Sequence, residues 1–372
     1  MLKNPFLGSV YMPEMTMRDR MLALVEGREH DNVPFVEYSG ISGSPNDEVW
    51  SVIGRNNMGL LVWCGLHGYH TPNCRFESEE INIDGRKGTR ITLHTPEGKL
   101  TDERLNAAIS SSSYKHYITE PEDYKIFLSY LRDITVHKDT KNWENIYKGL
   151  GDDGLPHTSI GRTPFQQLWI QWVSIEDLSL HIIDYPALME EVFDEMFRVQ
   201  RDTFHILKDV VEELPVPYLD FGDNITAPII GEKYFRKYCL TSYQELADIL
   251  SDCNKEIIIA VHMDGDLKPL WDAIGESPVK LLDSMSPPPD NDTSVADALR
   301  IWKDMRVCIN YPSSVHLKSE NEIYEATMEI LEQGGHSGRL QIQISENMPP
   351  NCWRKSYPQI VKAIKDFGLI KP

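Results

Sequence analysis

No Cys-x-x-Cys pair, no Gly-x-Gly-x-x-Gly turn, no repeat of fixed period and no low-complexity tract occurs anywhere in this chain. Each absence excludes something. Without paired cysteines the six thiols, Cys64, Cys74, Cys239, Cys253, Cys308 and Cys352, read as ordinary reduced residues, and a cytoplasmic protein is expected. Without a glycine-rich phosphate loop after an early strand, an open dinucleotide-binding sheet is disfavoured; "GLHGYH" does not fit that pattern. No apolar run approaches the roughly 18 residues that a membrane span needs. The opening "MLKNPFLGSVYMPEMTMRDR" lacks the apolar core of a secretory leader. Positive charge is scarce: 37 Lys and Arg stand against 57 Asp and Glu, a formal charge of -20. Phosphate recognition needs clustered cations, so neither a nucleic acid nor an anionic membrane is an expected partner.

What is present is enough apolar material for a large core, 41% of 372 residues, so disorder is not expected. The length suits two average domains or one α/β barrel with insertions. "MTMRDRMLALVEGREHDNVPFVEYSG" predicts a helix capped by Thr16, a turn, and a short strand over Val33–Tyr38. From Arg75 to Leu105 the pattern alternates in period two around Asp84-Gly85 and Pro96-Glu97-Gly98, which predicts a small antiparallel insertion. Beyond residue 120 helix and strand take turns. The long amphipathic "PALMEEVFDEMFRVQRDTFHILKDVVEEL" precedes the strand "VPYLDFGDN"; helical "GEKYFRKYCLTSYQELADILSDC" precedes "EIIIAVHMDGDL". "VKLLDSMSPPP", "MRVCINYPSS" and "RLQIQISENMPP" supply three more strands, with helices over Val295–Trp302 and Glu320–Gln333 between them. Such alternation implies parallel pairing and right-handed crossovers. The fold class expected is α/β, a (β/α)8 TIM-type barrel formed as one domain by residues 1–372, with the hairpin insertion at about 75–105.

The strands end on polar residues: Glu37; Asp220 and Asp223; His262 and Asp264; Asp283; Asn310; Glu346. In a barrel those ends converge on one face, where the chemistry lies. His262, Asp264 and Glu346 offer an imidazole and two carboxylates, a reasonable first shell for Zn2+ with one open position. The plain alternative is that His262 is a hydrogen-bonded core histidine and Asp264 caps the next helix. Trp63, Tyr69, Trp169 and Trp172 are candidates for an aromatic pocket wall, and core packing is the competing reading. Tyr69, Trp169 and Asn310 are taken as candidate substrate contacts. His67 and His70 sit in a glycine-rich context that suggests a loop, and the remaining histidines carry no signal. Thr163-Pro164-Phe165 after "HTSIGR" reads as a strand-to-helix turn at the same rim, and Pro287-Pro288-Pro289 as a rigid turn.

"MTMRDRMLALVEGREHDNVPF", "YLDFGDNITAPIIGEKYFRKY", "VHMDG" and "ISENMPP" together resemble the uroporphyrinogen decarboxylase superfamily over nearly the whole chain. That resemblance implies a barrel and one of two activities: cofactor-free decarboxylation of porphyrinogen acetates, or cobamide-dependent methyl transfer. The arginine-rich N-terminal motif by which the decarboxylases hold substrate carboxylates is missing around Val33–Tyr38. Against the zinc methyltransferases, His262 matches the metal histidine, while Asp264 and Glu346 stand where two cysteines would be. Hard oxygen ligands favour an oxygen-bearing ligand over a thiol. The implied function is therefore that of an O-demethylase methyltransferase. It would move a methyl group from a methoxylated, aromatic donor to the cobalt(I) of a corrinoid on a partner corrinoid-binding protein. Zn2+ would sit at the barrel mouth, or an acid in its place, with Asp223 and Glu37 as candidate acids. The insertion would shape the partner's approach or a homodimer contact. The alternatives are the decarboxylase, a non-catalytic barrel, and metal-assisted hydrolysis.

Overall fold

The computed structural model describes residues 14–107, 111–346 and 348–370, so residues 1–13 of the segment read for a leader lie outside it. Eight parallel strands form one sheet: β1 Phe35–Tyr38, β2 Gly59–Cys64, β3 Gly154–Thr158, β4 Tyr218–Phe221, β5 Ile258–His262, β6 Leu281–Met285, β7 Arg306–Asn310 and β8 Leu340–Ile344. They pair in the order β4-β5-β6-β7-β8-β1-β2-β3. A bridge between Ser159 and Asp220, with Ile160 N–H donating to the Asp220 carbonyl at 2.9 Å, brings β3 back to β4 and all but closes the barrel. The TIM-type expectation is borne out. No helix among the described residues is long and apolar enough to cross a membrane.

Strand side chains alternate between two faces, and this decides what each residue can reach. Phe35, Leu60, Leu219, Phe221, Val261, Leu282, Ile309, Ile342 and Ile344 point outward and share one core with the surrounding helices. Inward, Tyr218, Ile258, Ala260, Leu281 and Cys308 pack with Leu24 and Val25 of the helix Met17–Glu26, while Val36, Tyr38, Leu61 and Leu155 pack with its Met17 and Met21. That helix plugs the barrel floor. Thr16 caps it by accepting from Asp19 N–H, and Gly27 ends it in the left-handed region at φ 69°. Above the apolar floor the inward positions turn polar: His157, Asp220, His262, Asp283, Gln343 and Asn310, all buried.

The insertion is larger than the sequence suggests. Arg75–Ile83, Arg86–Thr95 and Gly98–Asn106 pair antiparallel around the expected turns, and a fourth strand, Ser111–Lys115, joins them. His67 and His70 do not lie in a loop: His67–His70 is a strand, antiparallel to Thr135–Lys138. Pairing across 65 residues of sequence is invisible to a local reading. Thr163-Pro164-Phe165 does open a helix, Pro164–Gln167, directly after β3.

Candidate functional site

A cleft of about 350 Å3 opens at the carboxyl ends of the strands, lined by Tyr38, Trp63, Arg162, Asn224, His262 and Glu346 among others. A cleft of about 430 Å3 lies at the other end, beside the floor helix, but its buried ions, Arg20 and Asp31, already satisfy each other at 2.6 Å. The mouth is therefore the candidate site.

His262 ends β5 and stands in register beside Asp283 of β6. Its Nδ1 lies 2.9 Å from Asp283 Oδ2, which fixes Nδ1 as a donor and turns Nε2 toward the cleft. Nε2 is 3.5 Å from Glu346 Oε1 and 3.8 Å from Asp264 Oδ2. These separations are long for hydrogen bonds. They match the edge of a tetrahedron with metal–ligand bonds of about 2.1 Å, which is roughly 3.4 Å. Asp264 is steered by Asn224 Nδ2 at 2.9 Å, and Glu346 by Asn310, whose Oδ1 accepts from the N–H groups of Ser345 (3.1 Å) and Glu346 (3.3 Å). The residues fit a divalent cation by donor type, by spacing and by the carboxylate behind the histidine. Asp264 does not cap the following helix; Asp292 Oδ1 accepts from Leu267 and Lys268 N–H instead.

A second polar layer lies directly below; its Asp220 and Asp283 are legible in the sequence as strand-end acids, but His157, Tyr38, Tyr218 and Gln343 beside them are not. Asp283 Oδ2 also accepts from the Tyr38 hydroxyl, and Oδ1 accepts from Gln343 Nε2 at 2.8 Å. His157 Nδ1 meets the Tyr218 hydroxyl at 2.8 Å, and its Nε2 lies 3.5 Å from Asp220 and 3.8 Å from Asp283. Both Asp220 oxygens are buried and without a hydrogen-bond partner among the described residues. Burial accordingly raises its carboxyl to about 6. Burial also opposes charge on His262, but Asp264, Asp283 and Glu346 outweigh it and hold the imidazole well above its ordinary value. For Asp283 burial is outweighed by His157 and His262, which hold it far below the carboxylate range. His157 had no sequence signal beyond its place in "HTSIGR", where Pro156 masks the strand.

The other expected site residues fall elsewhere. Glu37 shares the outward parity of Phe35; it is fully buried, accepts from Ser42 N–H (3.2 Å) and the Tyr357 hydroxyl (2.9 Å), and does not line the cleft. Burial raises its pKa. Asp223 shares the parity of Phe221 and accepts from Thr163 N–H (2.7 Å), the Thr163 hydroxyl (3.1 Å) and the Tyr243 hydroxyl (2.6 Å). It too lies behind the cleft wall, and burial lifts it to about 6. Asn310 positions Glu346 rather than facing the cleft. Tyr69 and Trp172 line a separate small cavity that touches the cleft at Gly161 and Arg162. Trp169 lines neither and donates to Gln166. Of the four aromatics, Trp63 forms the cleft wall, edge-on to Tyr38 and His157.

Comparison with known proteins agrees with the resemblance read from the sequence. Residues 182–366 match the family model for uroporphyrinogen decarboxylase (URO-D). Among solved structures, a methyltransferase from Methanosarcina mazei is similar at a TM-score of 0.55 and 13% identity, covering 95% of this chain and 99% of its own. A B12-independent methionine synthase from Shewanella sp. W3-18-1, in complex with selenomethionine, is 8% identical with a TM-score of 0.36, covering 79% of this chain and 75% of its own. No curated protein matches the sequence significantly.

Proposed function

We propose that this chain, with its URO-D family match over residues 182–366, is a methyltransferase that demethylates a methoxylated donor. The acceptor in this reading is the cobalt of a corrinoid carried by a partner protein. The observation that carries it is the His262 Nε2, locked from behind by Asp283 and facing Glu346 and Asp264 at 3.5 and 3.8 Å in the cleft.

Breaking a methyl–oxygen bond leaves its electron pair on oxygen, and an unactivated alkoxide or aryloxide is a poor leaving group. A Zn2+ held by His262, Asp264 and Glu346 would supply Lewis-acid stabilisation of that charge. The chain's own residues arrange the rest. Asp283 holds the His262 tautomer, Asn224 and Asn310 aim the two carboxylates, and Trp63 offers an exposed ring surface to the donor. The neighbouring carboxylates raise the pKa of the same imidazole, and His262 Nε2 faces the cleft, so His262 is a better candidate for an acid at this mouth than Glu37 or Asp223, which face away. These two act by positioning: Asp223 fixes the Gly161–Thr163 segment, and Glu37 fixes the turn after β1.

Incubating the purified chain with a reduced corrinoid protein and methoxylated aromatics, while following the cobalt spectrum, tests the reading. A methyl–cobalt signal that is lost in His262→Ala is expected. Silence with every donor, alongside turnover of a porphyrinogen, would instead favour the decarboxylase. Zinc content equal and negligible in wild type and His262→Ala would remove the ion and leave the imidazolium as the acid.

A further inference from the structure

Among the described residues, Arg162 is a cation of the cleft whose donors are largely unspent. It lies between β3 and the helix Pro164–Gln167, on a segment tied down on both sides: Gly222 N–H donates to the Gly161 carbonyl at 2.9 Å, and Thr163 N–H to Asp223 at 2.7 Å. Arg162 lines both the cleft and the adjoining cavity. Of its five N–H donors, the side chain spends one hydrogen bond among the described residues, Nη2 to Asn224 Oδ1 at 3.3 Å. Its Nε is buried with no partner among the described residues. No carboxylate among the described residues closes on it as an ion pair, in a chain that carries 57 acidic residues. The buried Arg20 shows the usual solution, two hydrogen bonds to Asp31 at 2.6 and 2.9 Å. A half-buried guanidinium left with unfilled donors is costly unless a ligand completes it. Burial already depresses Arg162 below its ordinary value, in spite of Asp223, Asp264 and Asp220 nearby.

Position adds direction. The Asn224 amide accepts from Arg162 and donates to Asp264, so it spaces the guanidinium from the His262, Asp264 and Glu346 cluster across one cleft. One cleft thus presents a guanidinium and, past Asn224, the His262 cluster, which suits a molecule with an anionic group at one end and an ether oxygen at the other.

Resting on the methyl-transfer reading for this same site, we propose that the donor carries a carboxylate, which Arg162 binds through its unspent N–H donors. Arginine suits this because its planar fork meets a carboxylate bidentately, which a lysine does not. Arg162 is then a substrate-binding residue that selects acids over neutral ethers.

Calorimetric titration tests this without any methyl transfer, so it survives or fails separately from the reaction class. The probes are 4-methoxybenzoate and its methyl ester, added to the full chain. The acid is expected to bind wild type at least tenfold more tightly than the ester, and the preference to weaken with added salt. Arg162→Gln should bring the acid and the ester to equal affinity, and Arg162→Lys should restore part of the preference. Unaltered thermal unfolding of both variants shows that the loss is local. Equal binding of acid and ester by wild type, an undiminished preference in Arg162→Gln, or no binding of the acid at millimolar concentration would each overturn the proposal.

Discussion

Replacing Asp283 by asparagine separates the orienting of His262 from the supply of a ligand. The side chain keeps its volume but loses its charge, and one acceptor becomes an NH2. In the native site Oδ2 accepts from His262 Nδ1–H at 2.9 Å and from the Tyr38 hydroxyl, while Oδ1 accepts from Gln343 Nε2 at 2.8 Å. Every neighbour is a donor. If the new amide turns its oxygen toward His262, its NH2 meets the Gln343 NH2. Gln343 cannot flip freely, because its Oε1 already accepts from Gln341 Nε2 at 2.9 Å. One buried donor is therefore stranded in either orientation, at about 1–3 kcal/mol. Zinc affinity should fall by about 10–100-fold through loss of the carboxylate behind the imidazole, or roughly 1.4–2.7 kcal/mol. Competition against a chromophoric chelator measures the affinity, and urea unfolding in chelator measures the stability of the metal-free chain. Zinc affinity within twofold of wild type would refute the claim that Asp283 sets the metal-binding tautomer. Unchanged metal-free stability would refute the stranded-donor argument.

Other consequences are as direct. Asp223, with its pKa raised to about 6 from the usual 3.8, binds its proton more tightly in the folded state. Its contribution is thus present below pH 4 and lost as pH rises toward 6, by up to about 3 kcal/mol; the stability difference between wild type and Asp223→Asn in urea melts should shrink over that window. Gly265→Ala would place a Cβ 2.2 Å from Thr226 Cβ and 2.8 Å from its Cα, so a loss of about 1–3 kcal/mol is expected in thermal melts, with lower zinc content as the neighbouring Asp264 shifts. Asp31→Ala leaves Arg20 buried at 6% exposure without its partner and should cost about 3–5 kcal/mol. Asp153→Ala, which breaks a pair with the 58% exposed Arg55, should cost under about 1 kcal/mol in the same denaturation assay.

Much of this was legible because it is local. The Thr16 cap, the hairpin turns, six of the barrel strands and the donor types at their ends all follow from patterns a few residues long. Two strands escaped. "GLLVWC" shows no alternation, and "GLPHT" contains Pro156, which argues against a central strand. Proline is tolerated there because β3 borders the near-open seam, where only the Ser159–Asp220 bridge joins it to β4. With β3 went His157, which lies between Asp220 and Asp283 in the polar layer under the cleft. Glu37 and Asp223 were legible as acids but not as outward-facing ones, although Val36 and Tyr38, and Tyr218 and Asp220, mark the inward parity.

The sequence by itself determined which side chains stand at strand ends and what chemistry each offers, since alternation and turn residues act over a few bonds. Only tertiary structure decided which of them meet. His262 and Glu346 lie 84 positions apart, on strands separated by two others, and approach to 3.5 Å because the sheet curls around and closes on itself. Curvature and closure are properties of all eight strands and the plugged floor together, so no short stretch of sequence contains them.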